Sequence, residues 1–103
     1  MPTLSTHVLD TARGVPAAGV PVRLVDASGR TLAEDVTDRD GRVASLGGDL
    51  PAGTYTLRFN VAVQQPDGFY PEVVVTFTVD DAEGHYHVPL LLSPYGYSTY
   101  RGS

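Results

Sequence analysis

Cysteine and lysine are both missing from this 103-residue sequence. Without cysteine there is no disulfide, no thiolate nucleophile and no cysteine-based zinc site, an absence that fits a reducing compartment. Without lysine, all positive charge rests on seven arginines scattered among twelve acidic residues, for a formal net charge of −5. Nucleic-acid surfaces need clustered cations to displace counterions from phosphate, which argues against a nucleic-acid partner. No apolar run approaches the ~20 residues of a membrane-spanning helix, and residues 1–10 have neither the basic start nor the apolar core of a secretory signal. The expectation is a soluble, cytoplasmic chain with no membrane partner. Hydrophobic residues at 42% and charged residues at 18% are ordinary for a folded protein, and the length suits one domain spanning 1–103. A domain this small is marginally stable by itself, so a partner subunit is a natural source of further burial.

What is present is short and alternating. Tyr55, Leu57, Phe59 and Val61 fall on one face of an extended segment, with Thr54, Thr56, Arg58 and Asn60 on the other. The run 71–80 repeats this period of two, with Val73, Val75, Phe77 and Val79 opposite Val74, Thr76 and Thr78. Residues 20–25 and 31–37 are shorter strands joined by the turn signal Asp26-Ala-Ser-Gly29. Residues 4–9, 85–93 and 97–100 complete a set of seven or eight strands with no helical stripe, which predicts an all-β sandwich. At most one short helix fits, around residues 61–67, and Pro66 and Gly68 oppose even that.

Three histidines are the candidate chemistry. On a strand His7 shares a face with Ser5 and Leu9, a position more often occupied by a surface or hydrogen-bonded histidine than by a catalyst. His85 and His87 lie two apart and so point to one face. That spacing suits a metal bite, although no carboxylate stands at ligand spacing. It equally suits water activation without metal, because neutral imidazole is the usual general base near pH 7. The segment Thr37-Asp-Arg-Asp-Gly-Arg42 resembles a calcium loop but fails its register: with Gly41 at position six, Val36 and Gly47 occupy the positions that require oxygen ligands. A tight Asp-Gly turn over Asp38 to Gly41 is the better reading. Arg42 after it is either a solvated charge or a fixed cation for an anionic group. The loop 66–72 carries Phe69 and Tyr70, and the last nine residues carry three tyrosines and Arg101. That end is either a frayed tail or, from its alternation, a strand.

Three segments together resemble one family, the transthyretin-like 5-hydroxyisourate hydrolases. They are Leu4-Ser-Thr-His-Val-Leu-Asp-Thr-Ala-Arg-Gly-Val-Pro-Ala17, Thr37-Asp-Arg-Asp-Gly-Arg42, and His85-Tyr-His-Val-Pro-Leu-Leu-Leu-Ser-Pro-Tyr-Gly-Tyr-Ser-Thr-Tyr-Arg-Gly-Ser103. The closing Tyr-Arg-Gly-Ser marks the enzymes, whereas transthyretin shares the fold and parts of the motifs but lacks that ending. The resemblance spans essentially the whole chain. It implies a transthyretin-like β-sandwich that hydrolyses 5-hydroxyisourate, the first product of urate oxidation, to 2-oxo-4-hydroxy-4-carboxy-5-ureidoimidazoline in purine catabolism. It implies His7, Arg42 and His87 as catalytic residues and Tyr100, Arg101, Gly102 and Ser103 as the substrate-binding element. It also implies no cofactor or metal, and a homotetramer, a dimer of dimers with sites between the dimers. His85 occupies a motif position with no catalytic role attached, so its substitution is expected to act through stability or packing. The family's short helix after the strand matching Tyr55–Val61 falls here on a brief segment containing Pro66.

Two other functions compete. A non-catalytic transthyretin-like carrier or interaction module would share the fold, because folds host many functions. A metal-dependent hydrolase would use His7, His85 and His87 together. The ending Tyr100-Arg101-Gly102-Ser103, together with His7, Arg42 and His87, separates the enzyme from the carrier. Metal content separates it from the metallohydrolase.

Overall fold

A computed structural model describes residues 2–80 and 84–102, and within them the chain is a two-layer β-sandwich. Nine strands are present: β1 (Thr3–Asp10), β2 (Val15–Pro16), β3 (Pro21–Asp26), β4 (Thr31–Val36), β5 (Arg42–Val43), β6 (Gly53–Asn60), β7 (Glu72–Val79), β8 (His85–Ser93) and β9 (Gly96–Thr99). One sheet runs β4-β3-β6-β7, all antiparallel. The other runs β2-β1-β8-β9, with β5 also paired to β1. The β1–β8 pair is parallel and unbroken over eight residue pairs, from Thr3 beside His85 to Asp10 beside Leu92.

The alternation read from the sequence is the alternation of burial. Tyr55, Leu57 and Phe59 are buried, as are Val73 and Val79. They meet Leu4, Val8, Leu90 and Leu92 from the opposite sheet. Each such side chain contributes about 1.5–3 kcal/mol when taken fully out of water. Val75 and Phe77 are only partly buried, because the layers gape between β7 and the β8–β9 side. The helical segment reduces to one 3-10 turn, Val61–Val63. Its neighbour Gln65 instead caps the loop, accepting from Gly68 N and donating from Nε2 to the Ser93 carbonyl. No helix among the described residues is long and apolar enough to cross a membrane.

The turn read over Asp38–Gly41 is present and joins the sheets. Gly41 N donates to the Asp38 carbonyl, and Asp38 Oδ1 accepts from the backbone of both Asp40 and Arg42. These bonds, the one from Arg42 first, hold the Asp38 carboxyl below its ordinary range. Gly41 has φ of +75°, and a methyl group there would run into the Val8 carbonyl. Its own carbonyl accepts from Val8 N at 2.7 Å. The glycine thus lets β5 lie flush on β1 and fixes where Arg42 emerges.

Candidate active site

Pairing sets the site on the outer face of the β2-β1-β8-β9 sheet. In the antiparallel β1–β5 pair, His7 stands directly opposite Arg42. In the parallel β1–β8 pair, Ser5 stands beside His87 and Thr3 beside His85. Because partners in register share a face, Arg42, His7, Ser5, His85 and His87 all project the same way. A cleft of about 320 Å³ is bordered by Ser5, Thr6, Arg42, Val43, Ala44, His85 and His87, and His7 stands opposite Arg42 without lining it. Three residues distant in sequence, read separately as candidates, therefore converge.

Each ring is held differently. His7 Nε2 lies 2.9 Å from the Asp40 carbonyl, and since a carbonyl only accepts, Nε2 carries the proton and the basic nitrogen of neutral His7 is Nδ1. His87 is held at Nδ1 by Ser5 Oγ, at 2.6 Å. No described residue bonds its Nε2. Burial pushes the His87 pKa below its ordinary value, reinforced by His7, Arg42 and His85, while a hydrogen bond from the ring to the Ser5 backbone carbonyl opposes the shift. His87 is therefore a neutral imidazole at pH 7.

The C-terminal element divides between the two faces. Past β9 the chain keeps the same register on β8 and closes a further bridge, Gly102 opposite His87, with Gly102 N donating to the His87 carbonyl at 2.8 Å. Gly102 rests on the His87 ring, where an added methyl would come 2.6 Å from Cδ2 and 3.2 Å from Pro89 Cγ. By the same register Tyr100 belongs to the histidine face; it is exposed, lies outside the cleft's lining and also lines the gap between the sheets. Arg101 turns to the other side, its guanidinium 4.5 Å from the Tyr86 ring centroid. It borders the gap between the sheets with Val75, Phe77 and Val88. Ser103 lies outside the described residues.

Sequence reasoning passes over Ser5 and Thr3, although period-two counting places both on the His7 face. His85, read there as a metal ligand or else as a packing residue, has both its ring nitrogens engaged: Nδ1 with Thr3 Oγ1 and Nε2 with Ser5 Oγ, each at 2.6 Å. Among the described residues no three histidine, aspartate or glutamate side chains are arranged to hold a metal ion. A larger groove on the outer face of the other sheet is lined by Arg23, Glu34, Arg58 and Glu72. Its cations are neutralised locally, Arg23 by Glu34 at 3.0 Å and Arg58 by Glu72 at 2.9 Å. It presents neither histidine nor an unpaired base.

Comparison with known proteins gives the family. Residues 4–102 match the HIUase/Transthyretin family. A 5-hydroxyisourate hydrolase of Deinococcus radiodurans is 52% identical, the alignment covering 99% of this chain and 97% of that one. The structure of Klebsiella pneumoniae 5-hydroxyisourate hydrolase superposes with a TM-score of 0.88 at 42% identity, covering 98% of this chain and 99% of that one. Transthyretin from Sparus aurata superposes equally well, TM-score 0.88, at 30% identity over 96% of this chain and 95% of its own. The sandwich is common to both kinds of protein, so it does not by itself separate hydrolysis from carriage.

Proposed function

The chain belongs to the HIUase/transthyretin family, and we propose that it hydrolyses 5-hydroxyisourate to 2-oxo-4-hydroxy-4-carboxy-5-ureidoimidazoline in urate degradation, with His7, Arg42 and His87 as its catalytic residues. The observation that carries the reading is a neutral imidazole and a guanidinium on one cleft, with a second imidazole, His7, on the same face opposite the guanidinium, on a fold that a carrier would not need to equip this way. Opening a ring amide requires a base to deprotonate water and a positive group to stabilise the oxyanion. His87 Nε2 takes the proton as water oxygen adds to the carbonyl carbon and the π electrons move onto the carbonyl oxygen. The same proton then passes to the departing ring nitrogen. Arg42 stabilises the oxyanion, and it must do so locally because the chain's net charge of −5 repels anions. His7, oriented by the Asp40 carbonyl, positions the water through Nδ1. Tyr100 and Gly102 border the heterocycle on the β9 side. Arg101 supports them from the other face, where stacking on Tyr86 is worth about 0.5–1 kcal/mol at an exposed site.

The test is to follow freshly generated 5-hydroxyisourate by absorbance, with the spontaneous reaction subtracted. Catalysed decay that survives exhaustive EDTA treatment is the expected result. No catalysis above background favours the carrier, and activity lost to chelation and restored by zinc favours a metallohydrolase. In the same assay Arg42→Lys should lower kcat by about 10²–10³-fold, the usual cost of one oxyanion donor, because an ammonium keeps the charge but not the planar fork. Near-unchanged kinetics would make Arg42 a solvated turn residue.

We further propose a homotetramer, a dimer of dimers. Supporting it are two outer strands with unpaired edges, β7 and β9, that carry exposed Val74 and Tyr97, and the gap beside partly buried Val75 and Phe77. Light scattering on the purified chain gives the assembly directly.

A further inference from the structure

His85 and Ser5 border the cleft and form a continuous hydrogen-bonded row with His87. Thr3 Oγ1 meets His85 Nδ1, His85 Nε2 meets Ser5 Oγ, and Ser5 Oγ meets His87 Nδ1, every contact 2.6 Å. The row follows from the parallel register of β1 and β8, which sets Thr3 beside His85 and Ser5 beside His87 on one face. Ser5 is 9% exposed, so water competes poorly for its hydroxyl. We propose that His85 is a positioning residue that, through the single hydroxyl proton of Ser5, sets which nitrogen of His87 is protonated.

A serine hydroxyl has one hydrogen to give, and here it stands between two ring nitrogens. If it donates to His87 Nδ1, then His87 carries its own proton on Nε2, and the nitrogen facing substrate is not a base. If it donates to His85 Nε2, then His87 Nδ1–H donates to Ser5 Oγ and His87 Nε2 is bare. Neutral His85 in that second arrangement carries its proton on Nδ1, where Thr3 Oγ1 accepts it. Only the second arrangement, in which His85 Nε2 accepts the serine proton, leaves His87 Nε2 able to accept a proton from water. Each arrangement is complete, with every nitrogen and hydroxyl in the row engaged, so the two rings switch together. The other charged groups facing His87 are His7 on β1 and Arg42 on β5; both disfavour its doubly protonated form but neither selects a tautomer.

The inference rests on His87 acting as the base, and its test has an arm that does not depend on activity. Nitrogen-15 NMR of the His87 ring at neutral pH should show Nδ1 protonated and Nε2 bare in the wild-type protein. In His85→Phe, which removes the acceptor, the proton should move to Nε2; in His85→Gln, whose amide oxygen can accept from Ser5, it should stay on Nδ1. Ser5→Ala should release the preference altogether. Turnover should follow the spectra: kcat falls about tenfold or more in His85→Phe with KM nearly unchanged, since general-base catalysis as a whole is worth about 10²–10⁴-fold, and Gln restores it. An unchanged His87 tautomer in both His85→Phe and Ser5→Ala overturns the proposal. So does equal loss of kcat in the Phe and Gln variants, which is what a purely structural role would give. The expected spectra without any wild-type hydrolysis would leave the tautomer control standing and remove the hydrolase reading instead.

Discussion

Replacing His87 by alanine is expected to lower kcat by about 10²–10⁴-fold, the range attributable to a positioned general base, while circular dichroism and assembly stay those of the wild-type protein. The fold should tolerate the change because His87 is on the outer face of the sheet and outside the buried cluster. The pH profile provides a second signature. The working form of a base is the deprotonated one, and burial together with the neighbouring cations lowers the His87 pKa from 6.5. The acid limb of kcat/KM should therefore have its midpoint below 6.5, activity being retained as pH falls toward that value and lost on passing through it. Removing the Arg42 charge removes one of those causes, so the residual activity of Arg42→Ala should show its acid limb displaced upward. His87→Ala with near-normal turnover, or an acid limb above 6.5 in the wild-type protein, would transfer the base role to His7, whose Nδ1 is the alternative basic nitrogen.

How much of this was legible in the sequence depends on the range of the interaction involved. The core faces were legible because period-two alternation is local: Tyr55–Leu57–Phe59 and Val73–Val79 needed nothing beyond their own segments, and the strand read at residues 85–93 has those same ends in the structure. β2 and β5 were not legible, since two residues have no periodicity to read. Yet β5 is what brings Arg42 opposite His7, so the site depended on an element below the resolution of pattern reading. The parallel union of β1 with β8 joins segments some eighty residues apart, and nothing local announces it. Ser5 and His85 consequently gained their shared row only once the register was known. The closing tetrapeptide was recognisable as a motif, but its residues are read there as one element. Extended backbone separates them, sending Gly102 to His87 and Arg101 to Tyr86.

Removing residues 100–103 should lower hydrolysis by about 10²-fold, the effect expected when a catalytic group is displaced by around 1 Å, and should do so without unfolding the sandwich. Gly102 closes the last bridge on β8, donating to the carbonyl of His87 itself, and leans on the His87 ring. With the tail gone the ring loses its support on that side. The buried cluster of Leu4, Leu57, Phe59 and Leu90 is untouched, so the loss should be of geometry and not of fold. Gly102→Ala is the finer probe. A single methyl would sit 2.6 Å from His87 Cδ2 and 3.2 Å from Pro89 Cγ, and Pro89 is held rigidly in mid-strand, so the ring or the tail must move. Gly102 has no positive φ that would itself strain alanine, which makes the expected loss a matter of contact with His87 and Pro89. A tag appended after Ser103 should also impair turnover, and an N-terminal tag should matter less because His7 lies well inside β1. Steady-state rates, circular dichroism and size exclusion must come from the same samples, since a change that broke the assembly would imitate a chemical defect. Full activity in a truncated or Gly102→Ala protein of native assembly would reduce the tail to ordered surface, and the part of the sequence that most resembles the enzymes would then have no bearing on the chemistry.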